Sequence, residues 1–478
     1  MWLEKKYHIS FIIALLCSCI VAAQTDPVIP IPDSTTNQPA STIVEIGTIE
    51  ITGNKKTKRF IMLREIPFKT GDTYSLDVLV EKFEDGRKQL MNTSLFHSVV
   101  IASKSFEGNK INVTVTVKER WYLFPLPYFK PVDRNLNQWI IEQKASFNRV
   151  NYGAKLLYNN VTGRNDKLRF RAINGYTKQL SFSYDRLYID KKLKWGGRVS
   201  FDAGKNREIN FLTFKNKQLF FKDEDAYTRR FINAYAEVTY RRAIKARHSF
   251  GIGFSREIIS DTVMALNPSY FGSGRTRIAY PEINYTMNYF DLDYIPYPTK
   301  GYAVQLSVGK KGFNKTLDLW GFEAKVSASW PLSKKTFFNL TTVAGLRLPF
   351  KQAYFTQRFL GYGDAYLQGY EYYVVDGVAG GVVRTTFTRE FINFKIKVPA
   401  KKGKEPERIP VRIFGKIYGN TGYVYNPEPG DNFLANKMLY SGGFGIDILT
   451  FYDVTFKLEY SFNAAGQNGF FLHRKTIF

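Results

Sequence analysis

FINAYAEVTY, residues 231–240, decides how most of this chain is read. In an extended strand Ile232, Ala234, Ala236, Val238 and Tyr240 fall on one face, and Asn233, Glu237 and Thr239 on the other. An apolar face toward lipid and a polar face toward a wet lumen is what a strand of a membrane β-barrel requires. The same alternation recurs in KLRFRAINGY, LSFSYDRLYI, HSFGIGFSRE, YAVQLSVGKK, FEAKVSASW, FFNLTTVAGL and DVTFKLEYSF. Polar or glycine-containing breaks such as TGRND, DKK, GKN, SKK and GSGRT separate such segments. From Trp121 onward this gives about sixteen strands at roughly 22 residues per strand and turn, a normal spacing for an antiparallel transmembrane barrel. A soluble sandwich would alternate too, but would not run so many strands together with aromatics at their ends.

Composition fits that reading. Aromatic residues make up 16% of the chain, with 31 Tyr and 40 Phe, yet the mean hydropathy is −0.27. Alternating strands keep the average low, and no stretch beyond the leader approaches the roughly 18 apolar residues of a membrane helix. Lys5 and Lys6, the apolar run Ile9–Ile20 and Val21-Ala22-Ala23 have the three-part layout of a secretory signal peptide over residues 1–23. A lipoprotein signal ending at Cys19 is the weaker alternative. Cys17 and Cys19 both lie in this leader, so the mature chain is expected to have no thiol chemistry. Residues 24–42, rich in Pro, Ser, Thr, Asn and Gln, read as a flexible tether. The net charge of +26 sits almost wholly in residues 120–478, with 54 Lys and Arg against 29 Asp and Glu. For an exported chain this implies anionic lipid or lipopolysaccharide, an anionic lumen ligand or simply a solvated lumen, rather than nucleic acid.

Residues 43–119 read as a small α+β domain. IVEIGTIEITGN is a strand and turn, and a helix-like stretch follows. Gly71-Asp72 is a break, Ser75 precedes by three residues a possible helix, and Leu76, Leu79, Val80, Phe83 and Leu90 repeat at helical spacing. HSVVIASKSF and KINVTVTVKER close the unit as two strands, with Ile111, Val113, Val115 and Val117 alternating. The order strand, helix, helix, strand, strand, the Gly53-Asn54 turn, the helix end before Leu95-Phe96 and the terminal Val117–Glu119 resemble a POTRA (polypeptide-transport-associated) domain. That resemblance implies a periplasmic domain that receives unfolded clients by strand addition.

Within residues 120–478, YGAKLLYNNVTGRNDKLRF, DYIPYPTKGYAVQLSV, FLGYGDAYLQGYEYY, RTTFTREF and FGKIYGNTGYVY resemble, in order, segments of the BamA/TamA family of outer-membrane assembly factors. The chain is thereby identified as a single-POTRA member with a bacterial-surface-antigen barrel. The resemblance places Gln368-Gly369-Tyr370 where the family loop carries Arg-Gly-Phe/Tyr inside the lumen. It places Asn420 where a later strand carries the Asp that holds that Arg. Cation and anion are both amides at these positions, and two amides can satisfy one another. Gln368 is therefore expected to contact Asn420, with Glu390 close by.

A seam is the second expected site. Pro125, Pro127 and Pro131 of the first strand share one parity, so their missing N–H groups align on one edge. The last strand, GFFLHRKTIF, carries His473, Arg474 and Lys475 and ends on Phe478, the usual terminal residue of barrels inserted by the assembly machinery. A weak closure there would form a lateral gate. The leading function is insertion or export of client polypeptides at the outer membrane, with unfolded clients and periplasmic or lipoprotein accessory subunits as partners. A passive channel or structural barrel is the alternative. No cofactor is expected, and His97, His248 and His473 lack metal-binding spacing. With no nucleophile elbow or phosphate loop, the chain is not expected to be an enzyme.

Overall fold

The computed structural model describes residues 43–131, 138–186, 188–190, 192–223, 225–398 and 407–475. The expected leader, tether and terminal Phe478 lie outside the described residues, and Arg474 and Lys475 enter as backbone only. Val44–Phe478 form one compact unit.

The amino-terminal domain comprises β1 (Ile43–Thr52), α1 (Arg59–Glu65), β2 (Thr73–Ser75), α2 (Leu76–Asn92), β3 (Phe96–Glu107) and β4 (Lys110–Glu119). Its sheet runs β2-β1-β4-β3, with β1 parallel to β4 and β3 antiparallel to it. Ile111, Val113, Val115 and Val117 turn to a core shared with Ile46, Ile61, Leu79 and Leu90, as period-two alternation under helices demands. Two details differ from the sequence expectation. The short β2 was too brief to show a period, and α2 begins directly after Ser75, whose side chain makes no capping bond. Glu119 accepts the backbone N–H groups of Lys56 and Thr57 at 3.0 and 2.7 Å, which fixes the loop ahead of α1.

Sixteen strands form one antiparallel sheet in chain order. They begin with β5 (Leu123–Pro131), β6 (Val150–Asn159), β7 (Lys167–Gly175), β8 (Thr177–Asp185) and β9 (Trp195–Asn206). A small hairpin, β10 (Glu208–Phe214) and β11 (Lys217–Lys222), stands outside the wall. The wall resumes with β12 (Arg229–Tyr240), β13 (Ala246–Ile259), β14 (Arg277–Leu292), β15 (Gly301–Asn314), β16 (Leu317–Pro331) and β17 (Thr336–Leu348). A long loop holding the short pair β18 (Arg358–Leu360) and β19 (Val375–Asp376) follows. The wall ends with β20 (Ala379–Val398), β21 (Glu407–Tyr425), β22 (Met438–Leu449), β23 (Thr455–Asn463) and β24 (Asn468–Lys475).

The faces divide as the alternation requires. Ile232, Val238, Phe250, Ile252 and Ile283 are exposed on the outside, Ile252 to 65%. Tyr235 hydrogen-bonds Glu237 and Asn284 inside. β20 and β21 overrun their neighbours: β17 pairs only as far as Arg389 and β22 only from Arg412, so the far segments form a free two-stranded ribbon.

The turns after β6, β12, β14 and β22 meet the amino-terminal domain, which defines a proximal end. Asn160 of the first turn donates to Thr57 at 2.9 Å. In the same turn Gly163 has φ +80°, and a Cβ there would lie 2.3 Å from the Lys56 carbonyl, so only glycine permits this approach. At the distal end the loops are capped. Asn216, at the tip of the β10–β11 hairpin, donates to the Val374 carbonyl and accepts the Leu434 N–H. Tyr354 donates to Asn210 at 2.7 Å within a cluster of Tyr270, Phe271 and Leu319.

Candidate functional site

The loop between β17 and β20 folds back onto the inner face of β21–β24. Leu360, Leu367, Tyr370 and Val375 are buried in a cluster with Val382, Val424 and Leu439. Gln368 Nε2 donates to Glu459 Oε1 at 2.7 Å, Asn463 Nδ2 donates to the Gly369 carbonyl at 2.6 Å, and the Tyr370 hydroxyl donates to the Tyr440 carbonyl at 3.2 Å. Gly369, with φ +88°, brings this turn against Ser441 and Ser461.

Beneath the loop lies a buried charge cluster. Lys416 Nζ reaches Asp447 and Glu459, both at 2.5 Å, and all three side chains are at most 4% exposed. His473 Nε2 lies 3.3 Å from Glu371 and 3.4 Å from Glu459. Lys457 stands opposite both Asp447 and His473 in the ladder. A buried carboxylate pair is tolerated only with compensating charge and hydrogen bonds. Here the ammonium, the Gln368 amide and the Tyr297 hydroxyl on Asp447 supply them.

Three expectations are corrected by this geometry. Gln368 bonds Glu459, whereas Asn420 donates to Ser441 at 3.3 Å and its own carbonyl oxygen has no partner among the described residues. Glu390 is held by Arg412 and by Asn393, toward the proximal end, and is not part of the loop anchor. The anchor has also not lost its charges. Its anions are Asp447 and Glu459, and its cation, Lys416, comes from β21. Lys416 and Glu459 were missed because charged inward residues are ordinary in a wet lumen. The usable signal was their sharing an inward parity with Tyr418 and Ser461, which bond each other at 2.7 Å.

The wall has two edges, β5 and β24, with no ladder between them among the described residues. Asn159 N donates to the Tyr122 carbonyl at 2.9 Å, across the register in which Leu123 faces Tyr158. By antiparallel alternation, even-numbered residues of β5 turn their backbone groups to β6, and odd ones turn away. Pro125, Pro127 and Pro131 thus lie on the edge facing away from β6, which keeps N–H groups only at Leu123 and Phe129. The Asn463 N to Gln467 O bond sets the same alternation in the last hairpin, so Asn468, Phe470, Leu472 and Arg474 direct theirs to the free edge of β24. His473, Arg474 and Lys475 all stay in register with β23.

At the proximal mouth two ion pairs seat the amino-terminal domain. Arg241 grips Glu65 through two bonds of 2.6 Å, and Arg120 grips Asp453 at 2.6 and 3.2 Å. Burial would raise the Glu65 carboxyl, but the hydrogen bonds and charge of Arg241, with the charges of Arg64 and Arg247, hold it at about 2. A cavity of about 1140 Å³ opens beside this seat, between α2, the ribbon of β20–β21 and the proximal turns. No group of three or more His, Cys, Asp or Glu among the described residues is arranged to hold a metal.

Two family models match the chain. A surface antigen variable number repeat (POTRA) matches residues 44–120, and an Omp85 superfamily domain matches residues 160–465. Among solved structures, CdiB from Escherichia coli is similar at 10% identity with a TM-score of 0.52, covering 90% of this chain and 75% of that one. BamA from Haemophilus ducreyi lacking POTRA domains 1–3 is similar at 14% identity with a TM-score of 0.48, over 90% and 84%. At such identities the likeness to CdiB speaks for fold alone. No curated protein matches.

Proposed function

The chain belongs to the Omp85 superfamily as an outer-membrane β-barrel with one POTRA domain, and from that premise we propose that it inserts or exports client polypeptides through the seam between β5 and β24. In this reading the POTRA domain stands in the periplasm. Its sheet ends on β3, a 12-residue edge strand, where an unfolded client can add as a further strand. The barrel acts without cofactor, metal or catalytic residue.

One observation carries the proposal: both wall edges are unpaired among the described residues, and they differ in what they can bond. The β5 edge is rich in acceptors and poor in donors, so it closes weakly on β24. The β24 edge presents donors and acceptors together, which makes it the better template for an incoming strand. A passive channel would need an open route, and the distal cap with the lumen loop disfavours it.

Disulfide locking in whole cells tests this. A cysteine at Tyr128 is combined with cysteines scanned along Gly469–His473, and outer-membrane levels of proteins lost on depletion of this chain are followed. Locked pairs should abolish function and regain it on reduction, while a cysteine pair within β14 and β15 should be silent. Normal function in the locked barrel would remove the seam, leaving a lumen route for export.

A further inference from the structure

We infer that the outer wall of β8–β14 binds the phosphates of a glycolipid of the outer leaflet, lipopolysaccharide, through one transverse row of basic side chains. The register is explicit: Lys178 faces Lys205, Lys205 faces Arg230, Arg230 faces Ile258, and Ile258 faces Arg277. Residues directly opposite in a ladder share a face, so four cations project from one side. Arg256, opposite Ile232, stands one row closer to the centre on that same side.

That side is the lipid side. Below the row on the same parities lie Phe182, Phe201, Ile232, Phe250, Ile252, Phe254 and Ile283, all exposed apolar residues. Between Val238 and Arg230 the strand climbs about 20 Å at roughly 3.3 Å per residue and a 40° tilt, close to the height of an apolar band. The cations therefore sit where acyl chains end and headgroups begin. Of the carboxylates nearby, Glu257 is held inside by Arg229 and Glu208 by Arg149, while Asp223 of the adjoining loop accepts the backbone N–H groups of Asp225 and Ala226. The loop residue Tyr227 lies against Lys205 and Arg207 at 4.2 and 5.6 Å, adding an aromatic body at headgroup level.

The rest of the distal rim is different. Lys310 is ion-paired with Asp318 and lies 4.9 Å from the Trp320 ring. Beyond it, Trp320, Leu348, Ala379, Tyr425 and Met438 hold the corresponding outward positions and carry no charge. A solvated rim would have no reason to gather cations with no ion-pair partner among the described residues over one sector of the wall. Guanidinium and ammonium groups converging over an apolar band match phosphates on a lipid anchor.

The inference rests on the periplasmic placement of the POTRA domain but not on the seam. The full chain in nanodiscs is titrated with diphosphorylated lipid A and with its dephosphorylated form. Wild type should favour the phosphorylated lipid by at least about tenfold. The variant K178Q/K205Q/R230Q/R256Q/R277Q should lose that preference, the milder R230Q/R277Q should lose part of it, and K334Q/K335Q at the proximal end should keep it. Heat-modified gel mobility reports folding, and R230Q/R277Q serves if the fivefold variant misfolds. No preference in wild type, an unchanged preference in the variants, or displacement by inorganic phosphate alone would overturn the site. Labelling of Ser273→Cys in intact cells by an impermeant maleimide tests the placement separately. Labelling from outside with no lipid preference sinks the lipid site alone, and absence of labelling sinks the placement.

Discussion

At the seat of the POTRA domain the carboxylates are fully matched by guanidinium groups, Glu65 by Arg241 and Arg64 and Asp453 by Arg120. In the lumen, by contrast, the ammonium of Lys416 is shared by Asp447 and Glu459 with Lys457 opposite Asp447, and the loop adds the amide of Gln368 and the Glu371 carboxylate beside His473. The two designs respond differently to motion. Undocking the domain separates opposite charges, but it delivers them to water. Releasing the loop leaves Lys416 with its carboxylates and removes the hydrogen bonds at Gln368, Gly369 and Tyr370 and the Glu371–His473 contact. The first is a docking contact that is made or unmade as a whole. The second lets the loop move over a charge cluster that the wall neutralises by itself.

The contrast can be broken most severely at Lys416. Lys416→Met strands two buried carboxylates and should cost about 3–5 kcal/mol, read as loss of the heat-modifiable folded band. Adding Glu459→Gln should recover much of that. Equal damage in single and double variants would show that Lys416 acts through packing and not charge. Next, Glu65→Gln leaves Arg241 facing a neutral amide and should loosen the seat by about 2–3 kcal/mol, measured as spin-label distance spread between the domain and the β12–β13 turn. Acid should act at the same place. Because the folded carboxyl is held at about 2, its contribution is present above the unfolded value near 4.3 and is lost as pH falls from there toward 2. Wild type should therefore widen its distance distribution over that window, and Glu65→Gln should not. The smallest effect is expected for Gln368→Ala, about 1 kcal/mol, with faster hydrogen exchange in the loop and an intact barrel. The exchange Gln368→Arg with Lys416→Gln sharpens the comparison: if the cation has moved from loop to wall, moving it back should preserve folding better than Lys416→Gln alone.

These positions also mark how far sequence could lead. Ile232, Ala234, Ala236 and Val238 disclosed the wall because period-two patterning is a local property that lipid enforces on every strand. The edge of Pro125, Pro127 and Pro131 was legible for a similar reason, since a missing N–H is missing in any fold. The loop anchor was not legible. Pairing Gln368 with Asn420 was chemically sound, but complementarity cannot tell which inward residue a loop reaches. Strand β23 carries Glu459 and Asn463 to the loop first, and Ser441 takes Asn420. The basic row on β8–β14 was hidden for another reason: Lys178 and Arg277 are distant in sequence, and only the register aligns them.

Under the proposed function, the overrun of β20 and β21 would change what surrounds a waiting client. Lys395, Pro410 and Arg412 of that ribbon face Glu84 and Arg87 of α2 across the proximal cavity. The mouth is thus a walled antechamber rather than an open rim. Under the proposed function, a segment inside it would meet fewer competing strands than in bulk, and its residence there would set a clock: it would have to join the wall before diffusing back past the ribbon.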